Sequence, residues 1–377
     1  ESARVMGAKP FRMFWTITLP ATRYGVAAAF FVAFTLIMTD FGNPVVIGGD
    51  FSVLATEVYN QVIGQANFEL GAVIGVILLV PAILAQLVEK RLSAKQIHVV
   101  SAQSKPLELR PDRARDLAFS LASWFIAALI LTVIGIVVFA SFVRLWPYNM
   151  TLTLKHYEFD VQNGIAPLWT SIAVALIAAI LGTLMTGLAA VAVQKFRTSA
   201  TGVLTALSLL SSAVPGMVLG LGYVLAFNNP ANPFNPLYGT LILIPILIVY
   251  YMHAQGFLVT LTSLKQIAGS FDEAATTLGA TRLRTLATVT LPLVWPSLIS
   301  VAVLYFMRAM VTLSAVIFVI TPSTQVAAVS VLHLTDRGAM NQAAAFSVCI
   351  MAVVIGVLAF VKGLLALFGI RNVTLIR

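Results

Sequence analysis

Residues able to do chemistry are sparse in this 377-residue chain and stand apart from one another. The four histidines, His98, His156, His253 and His333, fall on separate segments. No H-E-x-x-H pair sets two of them on one helix face, as a metal site would need. No G-x-S-x-G elbow raises a serine nucleophile, and no G-x-x-x-x-G-K-[ST] loop cradles a nucleoside phosphate. The chain therefore holds no machinery to hydrolyse ATP itself, and no catalytic residue, metal site or cofactor is expected. His253, within YYMHAQG, reads as a hydrogen-bonded residue at a helix end, and the single cysteine, Cys349, lies in an apolar run and reports no redox compartment. Two ionisable residues interrupt apolar stretches. Arg308 lies 12 residues past Pro296, roughly 18 Å along a helix at 1.5 Å per residue and so near mid-membrane. Asp40 just precedes the helix-breaking Gly42-Asn43-Pro44. A charge in hydrocarbon needs a partner or water, so a salt bridge between Arg308 and Asp40 is the expected arrangement. Passage of an anion past Arg308 is the alternative. Pro215-Gly216 interrupts another run and is expected to kink a span beside the same pathway.

The elements that must position these residues follow from composition. Hydrophobic residues make up 59% and charged ones 10%, with a mean hydropathy of +0.96. A soluble domain could not bury that much apolar surface. Spans need roughly 20 apolar residues each, and eight such segments are predicted, near 24–47, 69–89, 117–141, 167–193, 203–227, 238–257, 296–320 and 343–366. Long unbroken runs rather than ten-residue alternation exclude a barrel, which makes this an all-α polytopic membrane protein. The net charge of +9 is a topology signal, not a nucleic-acid patch. With the first residues placed in the cytoplasm, all the Lys and Arg except Arg144, Lys155, Arg337 and the intraspan Arg308 fall in cytoplasmic loops.

One polar stretch stands apart, DEAATTLGATRLRTLATVTLPL at residues 272–293, and the chain opens on a second copy, ESARVMGAKPFRMFWTITLP. Offset by 272, Glu1 matches Glu273, Ala3 matches Ala275, Gly7-Ala8 match Gly279-Ala280, and Arg12 matches Arg284. Thr16, Thr18 and Leu19-Pro20 match Thr288, Thr290 and Leu291-Pro292. Each copy precedes two spans on the same side, so two parallel halves are expected, related by an axis along the membrane normal. From Leu117 onward four spans stand before the second copy, and the same symmetry predicts about 155 residues and four helices upstream of the first. Residues 1–89 then read as the later part of a first half. Residues 90–116, with Pro106 and Pro111, read as a cytoplasmic linker, and 117–377 as a second half of six spans. Ser270 and Glu273 form a capping-box pattern that predicts a helix from about Phe271. Asp272 and Glu273 suit the helix dipole, and Gly279 permits a left-handed stop before a second short helix through Arg282 and Arg284.

This pattern resembles the cytoplasmic coupling loop of ATP-binding-cassette importer permeases, with its E-A-A, a glycine four residues on, and L-P about a dozen further. Glu273-Ala274-Ala275, Gly279 and Leu291-Pro292 meet it, as do Glu1, Ala3, Gly7 and Leu19-Pro20 with Ser2 in the middle position. The resemblance implies a protein of two parallel six-helix halves of the type I importer kind, in a bacterial inner membrane. It implies a coupling loop at about 258–295, two copies of an ATPase subunit seated on such loops, and an external substrate-binding protein. ATP binding would draw the loops together and turn the cavity outward, and hydrolysis would reset it. Permeases with both halves fused resemble ferric-iron, thiamine and 2-aminoethylphosphonate importers, and DFGNPVVIGGDFSVLATEVYNQVIGQ and AVPGMVLGLGYVLAFNNPANPFNPLYG look closest to the last. A secondary carrier or channel is the reading of another class. Such proteins tend to use inverted repeats and have no reason to carry two parallel docking loops.

Overall fold

The computed structural model describes residues 6–95, 112–159, 164–196 and 199–367. A helical turn, Pro10–Met13, and a π turn, Phe14–Thr18, lead without a break into α1 (Leu19–Met38). Two short helices follow, α2 (Gly42–Ile47) and α3 (Leu54–Tyr59), the latter extended by a π turn over Asn60–Gly64. The chain then returns through α4 (Phe68–Ala94), whose N-cap Asn67 accepts a hydrogen bond from Leu70 N–H at 3.0 Å. After the linker come α5 (Arg113–Phe142) and a small antiparallel hairpin, β1 (Val143–Leu145) with β2 (Asn149–Leu152). Next are α6 (Ala166–Lys195), α7 (Ser199–Leu210), α8 (Gly216–Phe227) and α9 (Leu243–Lys265). The second polar stretch folds as α10 (Ser270–Thr277), a helical turn Arg282–Thr285 and a π turn Leu286–Thr290. These run on into α11 (Leu291–Val311), and α12 (Ala327–Asp336) and α13 (Met340–Leu367) complete the described chain.

Among the described residues seven helices, counted with their leading turns, are long and apolar enough to cross a membrane, and α7 with α8 adds a path bent by 105°. The eight predicted spans are all present, with their ends shifted. The first stops at Met38 instead of continuing to 47, and the seventh stops at Val311 instead of 320. At both places a threonine turns back on the helix: the Thr39 hydroxyl donates to Thr35 O at 2.9 Å and the Thr312 hydroxyl to Arg308 O at 2.6 Å. Beyond these stops Phe41 and the run Ala315–Val319 are buried in the main apolar cluster instead of prolonging a helix. The span expected at 238–257 is α9, which runs on to Lys265. Most of the predicted linker, 96–111, lies outside the described residues.

Helices in lipid gain little from hiding apolar surface from one another, so they associate through close packing and small residues allow it. The tightest packing joins α6, α9 and α11. Tyr305 of α11 is fully buried there, its ring lying where Gly182 of α6 and Gly256 of α9 leave room. A methyl group at Gly182 would sit 2.6 Å from the ring, and one at Gly256 2.9 Å. Residues of the first copy, among them Phe41, Val58 and Leu78, join the same buried cluster. Buried polar side chains pin helix ends to one another. Asn341 Nδ2 donates to Ala140 O and Val143 O at 2.8 and 3.0 Å, and the Ser171 hydroxyl accepts from Ala327 N–H at 2.7 Å.

Candidate functional site

The two polar stretches have the same backbone where both are described. Residue for residue at the offset of 272, Pro10–Met13 repeats as Arg282–Thr285, Phe14–Thr18 as Leu286–Thr290, and the starts of α1 and α11 coincide. Gly7 and Gly279 both sit at φ +75°, in the left-handed region that glycine enters without strain. The Thr16 hydroxyl donates to Arg12 O at 2.7 Å, as the Thr288 hydroxyl does to Arg284 O. Glu1 and Ala3 lie outside the described residues.

In the second copy Gly279 ends α10 in a Schellman motif, with Gly279 N–H on Thr276 O and Ala280 N–H on Ala275 O, each at 2.9 Å. The expected capping box does not form. The helix begins one residue early, with Gly269 as N-cap and Glu273 N–H on Gly269 O, so Ser270 lies inside the first turn where its hydroxyl cannot cap. Asp272 is held instead by Lys195, from the end of α6, whose Nζ lies 2.7 and 2.5 Å from the two carboxylate oxygens. That tie was illegible in sequence, because nothing local relates residues 77 apart. Glu273 and Ala274 are exposed beside Gly279, and large apolar side chains stand out around them. Leu278 is 86% exposed and Leu283 75%, and their partners at the same offset, Met6 and Phe11, are 81% and 76% exposed. Sequence reading passed over these knobs because aligned positions hold different apolar residues; the shared hydrophobicity was the signal.

Pro215 breaks the fifth path as expected, but Gly216 does more than loosen it. A Cβ at Gly216 would meet Ser314 Oγ at 2.4 Å, and one at Gly220 would meet Ala315 O at 2.3 Å. The two glycines, spaced four apart, let α8 lie directly on the turn that follows α11. The expected Arg308–Asp40 salt bridge is not formed. Asp40 caps its own turn, accepting from Gly42 N–H at 3.1 Å and from Asn43 Nδ2 at 2.6 Å. Arg308 lies in the last turn of α11 with its side chain exposed, and makes no ion pair among the described residues. Because α11 stops at Val311, Arg308 sits near a helix end rather than at mid-span. His253 is hydrogen-bonded as expected, its Nε2 3.3 Å from Ser208 Oγ, but it lies in the middle of α9 and not at a helix end. No cluster of three His, Cys, Asp or Glu residues able to hold a metal occurs among the described residues.

Residues 1–98 and 188–369 match the family described as binding-protein-dependent transport system inner membrane component. The ferric transport system permease protein FbpB of Actinobacillus pleuropneumoniae is 31% identical over 96% of this chain and 53% of its own length. The 2-aminoethylphosphonate transport system permease protein PhnV of Salmonella paratyphi A is 28% identical over 53% of this chain and 75% of its own. A solved bacterial alginate ABC transporter, in complex with an alginate-bound periplasmic protein, matches 69% of this chain and 95% of its own with a TM-score of 0.55. At 16% identity that likeness speaks for the fold alone. The chain spans about half the length of the FbpB relative it matches.

Proposed function

The chain belongs to the family of binding-protein-dependent transport system inner membrane components, and on that premise we propose that it is the membrane permease of an ATP-driven importer of ferric iron. The observation that carries the reading is the pair of exposed apolar knobs, Met6 with Phe11 and Leu278 with Leu283, on backbones of the same shape. In the importer each knob seats in a groove of one of two ATPase subunits. ATP-driven closure of those subunits draws the two knobs together. The π turns and the helices continuous with them carry the movement into α1 and α11. Lys195 carries it into α6 through Asp272. An external binding protein delivers the cargo to the opposite face.

Iron stands ahead of phosphonate, the cargo favoured by the sequence stretches quoted above, because the ferric relative aligns with nearly the whole chain. A phosphonate importer remains the second reading, supported by a relative aligned with 53% of it. Two measurements test the proposal. Met6→Glu with Leu278→Glu in the full-length protein is expected to leave membrane insertion unchanged and to abolish co-purification of the cognate ATPase. Retained co-purification would remove the loops from the ATPase interface. Iron retained by the cognate external binding protein on purification supports the cargo, and a phosphonate in its place overturns it.

A further inference from the structure

On the coupling-loop side of Tyr305, helices α6, α9 and α11 part to leave a cavity of about 310 Å³ beside the π turn Leu286–Thr290. That is about ten times a water's share of liquid volume, at the lower end of the range for ligand pockets. The two long walls run antiparallel: Gly182 faces Tyr305, and a Cβ at Gly187 would lie 3.4 Å from Leu298. Wall residues extend from Thr183 to Val191 on one side and from Thr290 to Ala302 on the other. At 1.5 Å per residue the cavity is therefore a slot about 12–18 Å long, with Thr290 at its cytoplasmic end and Thr183 at its inner end. Three threonines interrupt an otherwise apolar wall. The Thr260 hydroxyl donates to Gly256 O at 2.9 Å. The Thr290 hydroxyl is buried without a hydrogen-bond partner, in a residue only 1% exposed, and the Thr183 hydroxyl has none either. In the π turn Leu286 O, four residues behind Thr290, accepts from Leu291 N–H, which sets Thr290 out of α register. A hydroxyl shut away from water is costly unless it finds an acceptor.

We propose that this slot holds one acyl chain of a phospholipid from the cytoplasmic leaflet, with the chain's ester carbonyl accepting from the Thr290 hydroxyl. A narrow apolar slot suits a chain and not a compact solute. Its mouth faces lipid, because the wall residues Leu184, Leu188, Leu291 and Trp295 are also exposed apolar side chains. Trp295 marks the level, since tryptophan favours the membrane–water interface, where the esters of a bilayer lie. Charge favours a phosphate just beyond. Lys265 follows the wall residue Leu264 at the end of α9, and Arg282 stands one helical turn before the wall residue Leu286, whose N–H bonds to Arg282 O. Both cations are exposed and neither makes an ion pair among the described residues. The chain would pack on the π turn that joins the polar stretch to α11, so its fit sets how freely that turn moves. The proposal needs neither cargo nor ATPase, and its failure would leave the importer reading standing.

The test is native mass spectrometry of the full-length protein, delipidated in detergent and titrated with dioleoylphosphatidylglycerol. We expect one lipid to bind ahead of all others. Gly187→Leu, which fills the slot, should abolish that first binding step. Thr290→Val keeps the shape and removes the hydroxyl, and should weaken the step about 5-fold, the worth of one neutral hydrogen bond. Thr183→Val, at the inner end, should leave it unchanged. Lys265→Gln with Arg282→Gln should weaken it about 10-fold, and dioleoylglycerol, which lacks the phosphate, should bind the wild-type protein as weakly. Matching elution on gel filtration shows that each variant is folded, and Thr290→Val carries the test should Gly187→Leu fail to fold. Equal binding by wild type and folded Gly187→Leu would mean annular lipid only and overturn the site. So would an undiminished first step in Thr290→Val, or a loss in Thr183→Val as large as in Thr290→Val. Dioleoylglycerol binding as tightly as the phospholipid would overturn the phosphate assignment.

Discussion

Arg308 and Asp40 look alike in sequence, each a charge set in an apolar run, yet the fold treats them separately. Asp40 uses its carboxylate to close its own turn, and Arg308 projects from a helix end. In the full-length protein, the effects of Asp40→Asn and Arg308→Leu on unfolding free energy should therefore add to within about 0.5 kcal/mol, as they do for sites with no shared partner. A larger coupling would put the salt bridge back. Tyr305 poses the opposite case, a residue with no sequence signal and a tight site. Gly182→Ala should lower stability in detergent by about 1–3 kcal/mol, the usual cost of overpacking. Adding Tyr305→Leu should recover part of the loss; no recovery would mean the ring is not what the methyl meets. Which residues were unusual could be read from the chain. Their partners could not, because pairing depends on where helices end, and hydrophobic runs do not mark that.

The two polar stretches were the most legible, since their acids, glycine and Leu-Pro all lie within one continuous run, 272–293 in the second copy. A Cβ at Gly279 would meet nothing within 4 Å, so a side chain is opposed only by the left-handed backbone, at roughly 1–2 kcal/mol. Asparagine tolerates that conformation, so Gly279→Asn should keep ATP-driven uptake in proteoliposomes, and Gly279→Val should lose most of it with insertion intact. Equal uptake by the two variants would mean the turn is not needed. The tie from Lys195 to Asp272 is partly exposed and is worth about 0.2–1 kcal/mol to stability. Lys195→Glu should therefore leave folded yield unchanged and reduce uptake per ATP hydrolysed. Lys195→Glu with Asp272→Lys should restore the ratio, and a double variant as poor as the single one would rule out a strut. Helix ends were less legible: Thr39 and Thr312 stop their helices through hydrogen bonds to backbone carbonyls four residues back, inside runs apolar enough to continue.

Across the whole molecule the repeat reaches further than the identities that announced it. At the same offset of 272, α4 begins at Phe68 and α13 at Met340, well past the last residues that match in the motif. Lipid-facing helices ask only for apolar side chains, so sequence drifts there while the backbone does not. The π turns give the shared plan a mechanical meaning. Each one contains an extra residue relative to an α turn, and one residue is about 100° of rotation around a helix. The extra residue therefore sets the compass bearing of everything below it. Removing Ala287 alone would swing the lower segment of one copy by about 100°, a little over a quarter of a circle, away from its twin. A symmetric pair of sockets could then accept one plug and not the other. Between knob and span this chain counts residues the way a lock counts pins, and a one-residue change of length there should cost more than almost any change of residue type.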